Sequence, residues 1–326
     1  MSGSAAVAEL LADRGAAAAS EEFFRCRPFL AAEGVTHTLR IESGEGELLA
    51  PLIVREIPGT EGIDAISPYG YPGICAAAGV ARAMGRANST AAIDPGAVDF
   101  SATGLVSLFL RHTLGEPPLT GATARNVVQV ADPELTPKSR SSDRNQINKN
   151  RRAGYEVELI AARETSAEQR AGFLAAYEET MRRAAAAERY FFGPEYFDCI
   201  LDSDRAWLAL AHAPGGGVAA ASIATASDGY LHYYLSGSAD AHLRDSPMKS
   251  VVASLVELSA EQGLPLNLGG GISRGDRLEE FKRGFANREQ PWHSSEIVCD
   301  RAGYDGLSAG RDAGGFFPAY RASSRG

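Results

Sequence analysis

The chain has 326 residues, enough for two domains of ordinary size that each bury a core without disulfides or metal. Hydrophobic residues make up 44% and charged residues 22%, which excludes wholesale disorder and a fibrous architecture. A formal net charge of -9 excludes a surface built throughout to grip nucleic acid, because phosphate contacts come from Lys and Arg; any RNA contact has to be local.

In chain order, Ser20-Glu21-Glu22 followed by Phe23, Phe24, Phe29 and Leu30 predicts an N-capped helix with acidic residues in its first turn. Thr36 to Glu42 and Glu47 to Ile57 read as strands joined into a hairpin by Ser43-Gly44-Glu45-Gly46. Ser67-Pro68-Tyr69-Gly70-Tyr71-Pro72-Gly73 is a loop, Val98 to His112 reads as a helix and Arg125 to Val130 as a strand. A basic stretch follows, with Lys138, Arg140, Arg144, Lys149, Arg151 and Arg152 against only Asp143. It is either a solvated helix face or a local contact for phosphates. Gly154 stands where a helix C-cap is expected.

Beyond it the pattern predicts a strand Tyr155 to Ala161, a helix from Ser166 to about Ala187, a short helix Pro194 to Leu201, and strands Ala206 to His212, Val218 to Ala226 and Tyr230 to Ser236. A helix Pro247 to Gln262, a strand Pro265 to Leu268, a helix Asp276 to Arg283 and a strand Ser295 to Cys299 complete the series. The tail after Tyr304 is rich in Gly, Ala, Ser and Arg, and Ser323 to Gly326 are expected to be mobile.

Cys26, Cys75, Cys199 and Cys299 are far apart, form no CxxC pair and have no histidine at ligand spacing, so they are read as reduced and no metal is expected. The Ala-rich start is interrupted by Glu9, Asp13 and Arg14 without a basic leader, and no run approaches the roughly 20 apolar residues that span a bilayer. The expectation is a cytoplasmic protein.

The densest cluster of chemically informative residues is Leu268-Gly269-Gly270-Gly271-Ile272-Ser273 with Asp276, Leu278, Phe281, Lys282, Arg283, Gly284 and Phe285. It leaves a strand and enters a helix. Three glycines permit close approach of backbone to a ligand, and a helix N-terminus offers N–H groups to an anion; the alternative is a plain tight turn. Lys282 between two phenylalanines is either a surface lysine on a short helix or a cation set in an apolar site.

These residues, together with Arg144-x-x-Ile147-x-Lys149, Arg152-x-Gly154, Glu179-Thr180-Met181-x-Arg183, Tyr190-Phe191-Phe192, Tyr196-Phe197 and Tyr233-Tyr234-Leu235-Ser236-Gly237, resemble the Fem family of aminoacyltransferases. The match covers most of residues 138 to 300 and, more loosely, Tyr69 to Gly73. The resemblance implies an α/β fold of two GNAT-like domains, each a mixed sheet flanked by helices, without a coiled-coil arm. Residues 1–137 would form a degenerate domain on the acceptor side and 138–304 a domain on the aminoacyl donor side, with 305–326 a tail that can return to the first.

It further implies transfer of an amino acid from an aminoacyl-tRNA to the amine of a soluble peptide or nucleoside-peptide, free or carried on a protein, with no membrane and no DNA as partner. The tRNA is a co-substrate, and no other cofactor is expected. Lys282 and Phe281 carry over as the reaction-centre pair. Arg144, Lys149, Arg152, Gly269, Gly270, Gly271, Ser273 and Arg283 are candidates for holding the donor end. Tyr69, Tyr71, Arg183, Tyr190, Tyr196, His232 and Tyr233 are candidates for the acceptor; His232, alternating with Tyr233 on its strand, is read as structural first and as a base second.

Three alternatives stay open: transfer onto a peptidoglycan precursor, acetyl transfer from acyl-CoA or an acyl carrier protein, and a non-catalytic binder of tRNA or peptide. CoA-dependent enzymes hold pyrophosphate on a Gly-rich turn before the helix that follows the central strand. Here that passage, Ser236 to Pro247, lacks the turn, and Asp240 and Asp245 would repel a pyrophosphate.

Overall fold

The structure, a computed structural model, describes residues 6–15, 21–44, 46–76, 93–115 and 119–322. Two compact units emerge: residues up to Arg125 together with those from Trp292 onward, and Asn126–Pro291.

In the first unit the strands are β1 (Ala6–Leu11), β2 (His37–Ser43), β3 (Gly46–Glu56), β4 (Ile63–Ile66), β5 (Cys75–Ala76), β6 (Val98–Asp99) and β7 (Leu105–Arg111). Their order is β6-β1-β2-β3-β4-β7, with β5 on β3; the next strand beside β7 comes from the C-terminal part of the chain. The β2/β3 hairpin pairs Glu42 with Glu47 and Ser43 with Gly46. Alternation puts Leu39, Ile41, Ala50 and Leu52 into a core shared with Leu105, Leu108 and Leu110.

The helix expected at Val98 to His112 is instead β6, a 3-10 turn Ser101–Thr103 and β7. Residues 105 to 108 and Leu110 are all buried, so β7 is covered on both faces and, apart from Ser107, carries the apolar run that a buried helix also shows. The N-terminal helix is likewise divided, into a 3-10 turn Phe23–Arg25 and α1 (Arg27–Ala32). Pro28 starts a new helix because it cannot continue one, and Phe23, Phe24 and Phe29 interlock with ring centroids 5.3 to 5.4 Å apart. Ser20, expected as its cap, and residues 323–326 lie outside the described residues.

The C-terminal part of the first unit is held by charge. Asp64 on β4 is fully buried and receives Arg55 at 2.8 Å, Arg321 at 2.5 Å and the Tyr320 hydroxyl at 3.0 Å. Ser107 on β7 shares that hydroxyl at 2.7 Å.

The second unit follows the expected order: β8 (Thr123–Ala131), α2 (Ser141–Arg152), β9 (Glu156–Ala161), α3 (Ala167–Arg183), α4 (Pro194–Leu201), β10 (Ala206–His212), β11 (Val218–Ser227), β12 (Tyr230–Ser238), α5 (Met248–Gln262), β13 (Leu266–Gly269) and α6 (Arg277–Arg283). The last strand, β14 (Arg288–Val298), begins seven residues before the expected Ser295 and, from Trp292 on, belongs with α7 (Arg301–Ser308) to the first unit. The sheet order is β8-β13-β12-β11-β10-β9.

Helix α3 starts on a capping box, Ser166 with Gln169, and ends at Arg183; the stretch expected to prolong it to Ala187 has Ala185 at φ 47°. Helix α5 buries Val251, Val252, Leu255 and Leu258 over a sheet face of Ala209, Ala211, Ala220 and Ala224. Alanines there let the helix sit close to the strands.

Candidate functional site

Strands β12 and β13 are paired in parallel at Leu231 with Leu266 and His232 with Asn267. Side chains lock that pairing: Asn267 Nδ2 donates to His232 Nδ1 at 3.0 Å, His232 Nε2 donates to the Ser227 carbonyl at 3.2 Å, and the Gly269 N–H donates to Asn267 Oδ1 at 2.8 Å. Past this clasp β12 continues to Ser238 while β13 ends at Gly269, so the strand ends part. His232 is 2% exposed, and burial pushes its imidazole down to about 4. A ring that is neutral and bonded through both nitrogens is a strut of the sheet, which removes it from contact with an acceptor.

Gly269 takes φ 75°, and a Cβ there would lie 3.1 Å from Lys282 Nζ. The chain turns through Gly270 and Gly271 and enters α6 at its N-cap, Asp276, which accepts from the N–H groups of Glu279 at 2.8 Å, Ile272 at 2.7 Å and Ser273 at 2.9 Å. These hydrogen bonds, that of Glu279 foremost, hold the Asp276 carboxyl below its ordinary range. Glu279 takes the Gly275 N–H at 2.7 Å. The expected phosphate cradle is therefore filled by the protein's own carboxylates. The amides of Ile272 and Ser273 point at Asp276, and Gly269, Gly270 and Gly271 serve close packing.

Lys282 is what this packing encloses. It is 8% exposed, its ammonium donates to the Gly270 carbonyl at 2.7 Å and lies 6.0 Å from the centre of the Tyr233 ring. Burial pushes its amine down to about 8, against the opposing pull of Asp276. Tyr233 is pushed up to about 12 by burial. Phe281 is half-buried, edge-on to Phe285 at 5.7 Å, and Phe285 is core. Asn126, which sequence reading did not select, donates to the Gly271 carbonyl at 3.2 Å and braces the turn.

The other candidates fall into separate groups. Arg283 is engaged by Glu279 at 2.5 Å and Glu289 at 3.3 Å and is not a free cation for a donor. Arg144, Lys149 and Arg152 stand exposed on α2, whose inner face packs Ile147 on the core and is otherwise polar: Gln146 and Asn150 donate to the Asp245 carbonyl at 3.0 and 2.8 Å, and Asp143 pairs with Lys249 at 2.8 Å.

Tyr196 stacks on Phe192 at 3.9 Å with its hydroxyl 3.1 Å from that of Tyr234. Tyr190 has Arg189 over its ring. Arg183 is tied to Asp240, to the Ser238 carbonyl at 3.2 Å and to Thr180 at 2.9 Å, which satisfies it internally. Tyr69 and Tyr71 belong to the first unit.

The passage from β12 to α5 is a 3-10 helix, Asp240–Asp245, ending in Ser246 at φ 49°. The Asp240 N–H donates to the Glu179 carboxylate at 2.6 Å. No cluster able to hold a metal ion is present among the described residues, where the four cysteines are free, and no helix there is long and apolar enough to cross a membrane.

Residues 137–283 match the family model described as an acetyltransferase (GNAT) domain. The fold is similar to that of FemX, with a TM-score of 0.61 at 10% identity over 86% of this chain and 93% of that one. It is also similar to L-PGS from Bacillus licheniformis, with a TM-score of 0.53 at 13% identity over 83% and 88% of the two chains. The C-terminal domain of a putative lysylphosphatidylglycerol synthetase from Agrobacterium fabrum gives a TM-score of 0.52 at 12% identity over 89% and 90%. No curated protein sequence matches significantly. The second unit thus carries a GNAT-type acyltransferase domain within a Fem-like fold.

Proposed function

We propose that the chain is an aminoacyltransferase that uses an aminoacyl-tRNA as donor and the amine of a soluble acceptor, a peptide or nucleoside-peptide intermediate of antibiotic biosynthesis, free or held on a carrier protein. The observation that carries this reading is Lys282: a buried ammonium whose one hydrogen-bond partner among the described residues is a neutral carbonyl, set where β12 and β13 part.

The acceptor nitrogen attacks the ester carbonyl, the new C–N bond forms, and the ribose oxygen leaves and takes a proton. Charge builds on the carbonyl oxygen between those events. A fixed cation in a site with little water stabilises that oxyanion by about 3 kcal/mol, the scale of a lost oxyanion donor. Neither nearby candidate suits proton removal, since His232 is enclosed and Asp276 is saturated by amides. An aminoacyl ester is already activated, so a group of the substrate itself suffices as base.

The acyl-CoA reading is weakened at the β12 to α5 passage. Asp240, Asp245 and Glu179 crowd the place a pyrophosphate would take, and the Asp240 amide is already spent on Glu179. The exposed cations of α2 supply a local surface for RNA on an otherwise acidic protein.

The test is transfer of label to a panel of amine acceptors from total tRNA charged with labelled amino acids, with and without ribonuclease. Transfer abolished by ribonuclease is expected. Transfer that survives it, or that runs on acetyl-CoA, contradicts the reading.

A further inference from the structure

The first unit holds a cation that neither the family match nor the site around Lys282 uses. Arg111 ends β7, and its guanidinium carbon lies 5.5 Å from the centre of the Tyr69 ring, 5.5 Å from Trp292 and 5.7 Å from Phe109. Among the described residues no carboxylate pairs with it and no acceptor takes its side-chain N–H groups. Arg125, whose guanidinium carbon lies 5.6 Å from the centre of the Phe109 ring, is by contrast paired with Glu296 and bonded to Ser294 at 2.6 Å. Two arginines lie near one aromatic ring, and among the described residues only Arg125 has a counter-ion.

The cage is fixed before any ligand arrives. Trp292 Nε1 donates to the His112 carbonyl at 3.2 Å, and Tyr71 packs edge-on against Trp292 at 6.0 Å. The loop carrying Tyr69 is pinned at both ends of the arginine's own backbone: the Arg111 N–H donates to Ser67 Oγ at 3.1 Å and the Gly73 N–H donates to the Arg111 carbonyl at 3.1 Å. Gly73 sits at φ 64°, where a Cβ would overlap Thr113. Arg25, itself buried, donates to the Pro72 carbonyl at 2.7 Å.

We propose that Arg111 in this cage is a binding site for a carboxylate ligand. Aromatic faces hold a guanidinium by its plane and leave the N–H edges free, and those edges match a carboxylate in bidentate fashion. The charge fits a monoanion better than a phosphate: Arg125 is neutralised by Glu296, and the adjacent His112 is buried and neutral, held down near 4 by burial and by His293. Tyr69 remains 38% exposed and leaves a way in. Assigning the carboxylate to the acceptor of the transfer reaction rests on the transferase reading; the binding itself does not.

The experiment therefore contains no donor. The 15N-labelled full chain is titrated with N-acetylglycine, N-acetylglycinamide or inorganic phosphate at constant ionic strength. The readout is the indole N–H resonance of Trp292, told from that of Trp207 with Trp207→Phe. N-acetylglycine is expected to give a saturable shift at roughly millimolar concentration. The amide should give none, and phosphate should bind at least about threefold more weakly.

Arg111→Gln should weaken N-acetylglycine about tenfold or more, and Arg111→Lys, which keeps the charge and loses the fork, about threefold or more. Equal shifts with the amide, phosphate binding tighter than the carboxylate, or unchanged affinity in either variant would overturn the proposal.

Discussion

Lys282 concentrates the account at the scale of one residue. Its amine is pushed down to about 8 from an ordinary 10.5, so at pH 7 it is mostly charged, as an oxyanion partner requires. Activity limited by that charge falls as pH rises through about 8, whereas a neutral Lys282 acting as base would make it rise; a pH profile of single-turnover transfer separates the two. The stability effect has its own sign. The unfolded chain holds the extra proton between about 8 and 10.5, so stability rises with pH across that window, and below it the full cost of burying the charge is present. Lys282→Met is accordingly expected to leave urea stability at pH 7 unchanged or raise it, by at most about 3 kcal/mol. A charged residue whose removal costs activity and not stability is retained for chemistry.

The glycine turn beside Lys282 and the buried charge cluster of the first unit can each be tested by removing one side chain. Asp276 satisfies the Ile272 and Ser273 N–H groups of the turn that presents the Gly270 carbonyl to Lys282, and the Glu279 N–H in the first turn of α6. Asp276→Ala should lower stability by about 1–2 kcal/mol in thermal denaturation and lower the transfer rate as well, since the turn loosens. In the first unit, Asp64→Ala leaves Arg55, Arg321 and Tyr320 facing a void and is expected to cost about 3 kcal/mol, while Tyr320→Phe should cost about 1 kcal/mol.

How far elements can be read from sequence follows from what covers them. Capped helices with one apolar face, such as α3 behind Ser166 and α5 ahead of Gly263, are legible at their capped ends, though α3 stops four residues before the expected Ala187. Strand β7, buried on both faces, has no periodicity left to show, and β4 is only four residues long. The site divides the same way. Lys282 and its glycine turn lie in one stretch of seventeen residues, Gly269 to Phe285, and can be recognised there. The roles of Asp276 as occupant of its own helix end and of His232 as a clasp depend on where the side chains turn. The Arg111 cage draws on three segments that only folding brings together.

For the molecule as a whole, a net charge of -9 confines RNA contact to places where cations gather. Arg144, Lys149, Arg151 and Arg152 on the outer face of α2 are the surface expected to meet tRNA phosphates. Replacing Arg144, Lys149 and Arg152 by Gln should weaken tRNA binding and reduce the slope of log K against log salt by about 2 to 3. That result in filter binding would place the donor on the second unit, independently of chemistry.

In the proposed reaction a buried Lys282 stabilises charge during transfer from an aminoacyl-tRNA. The most direct measurement compares Lys282→Met with the unaltered chain in single-turnover transfer from labelled aminoacyl-tRNA, with donor affinity measured on the same samples. The variant is expected to transfer roughly 100-fold or more slowly with donor affinity within about threefold. An unchanged rate, or a loss confined to donor affinity, would contradict it.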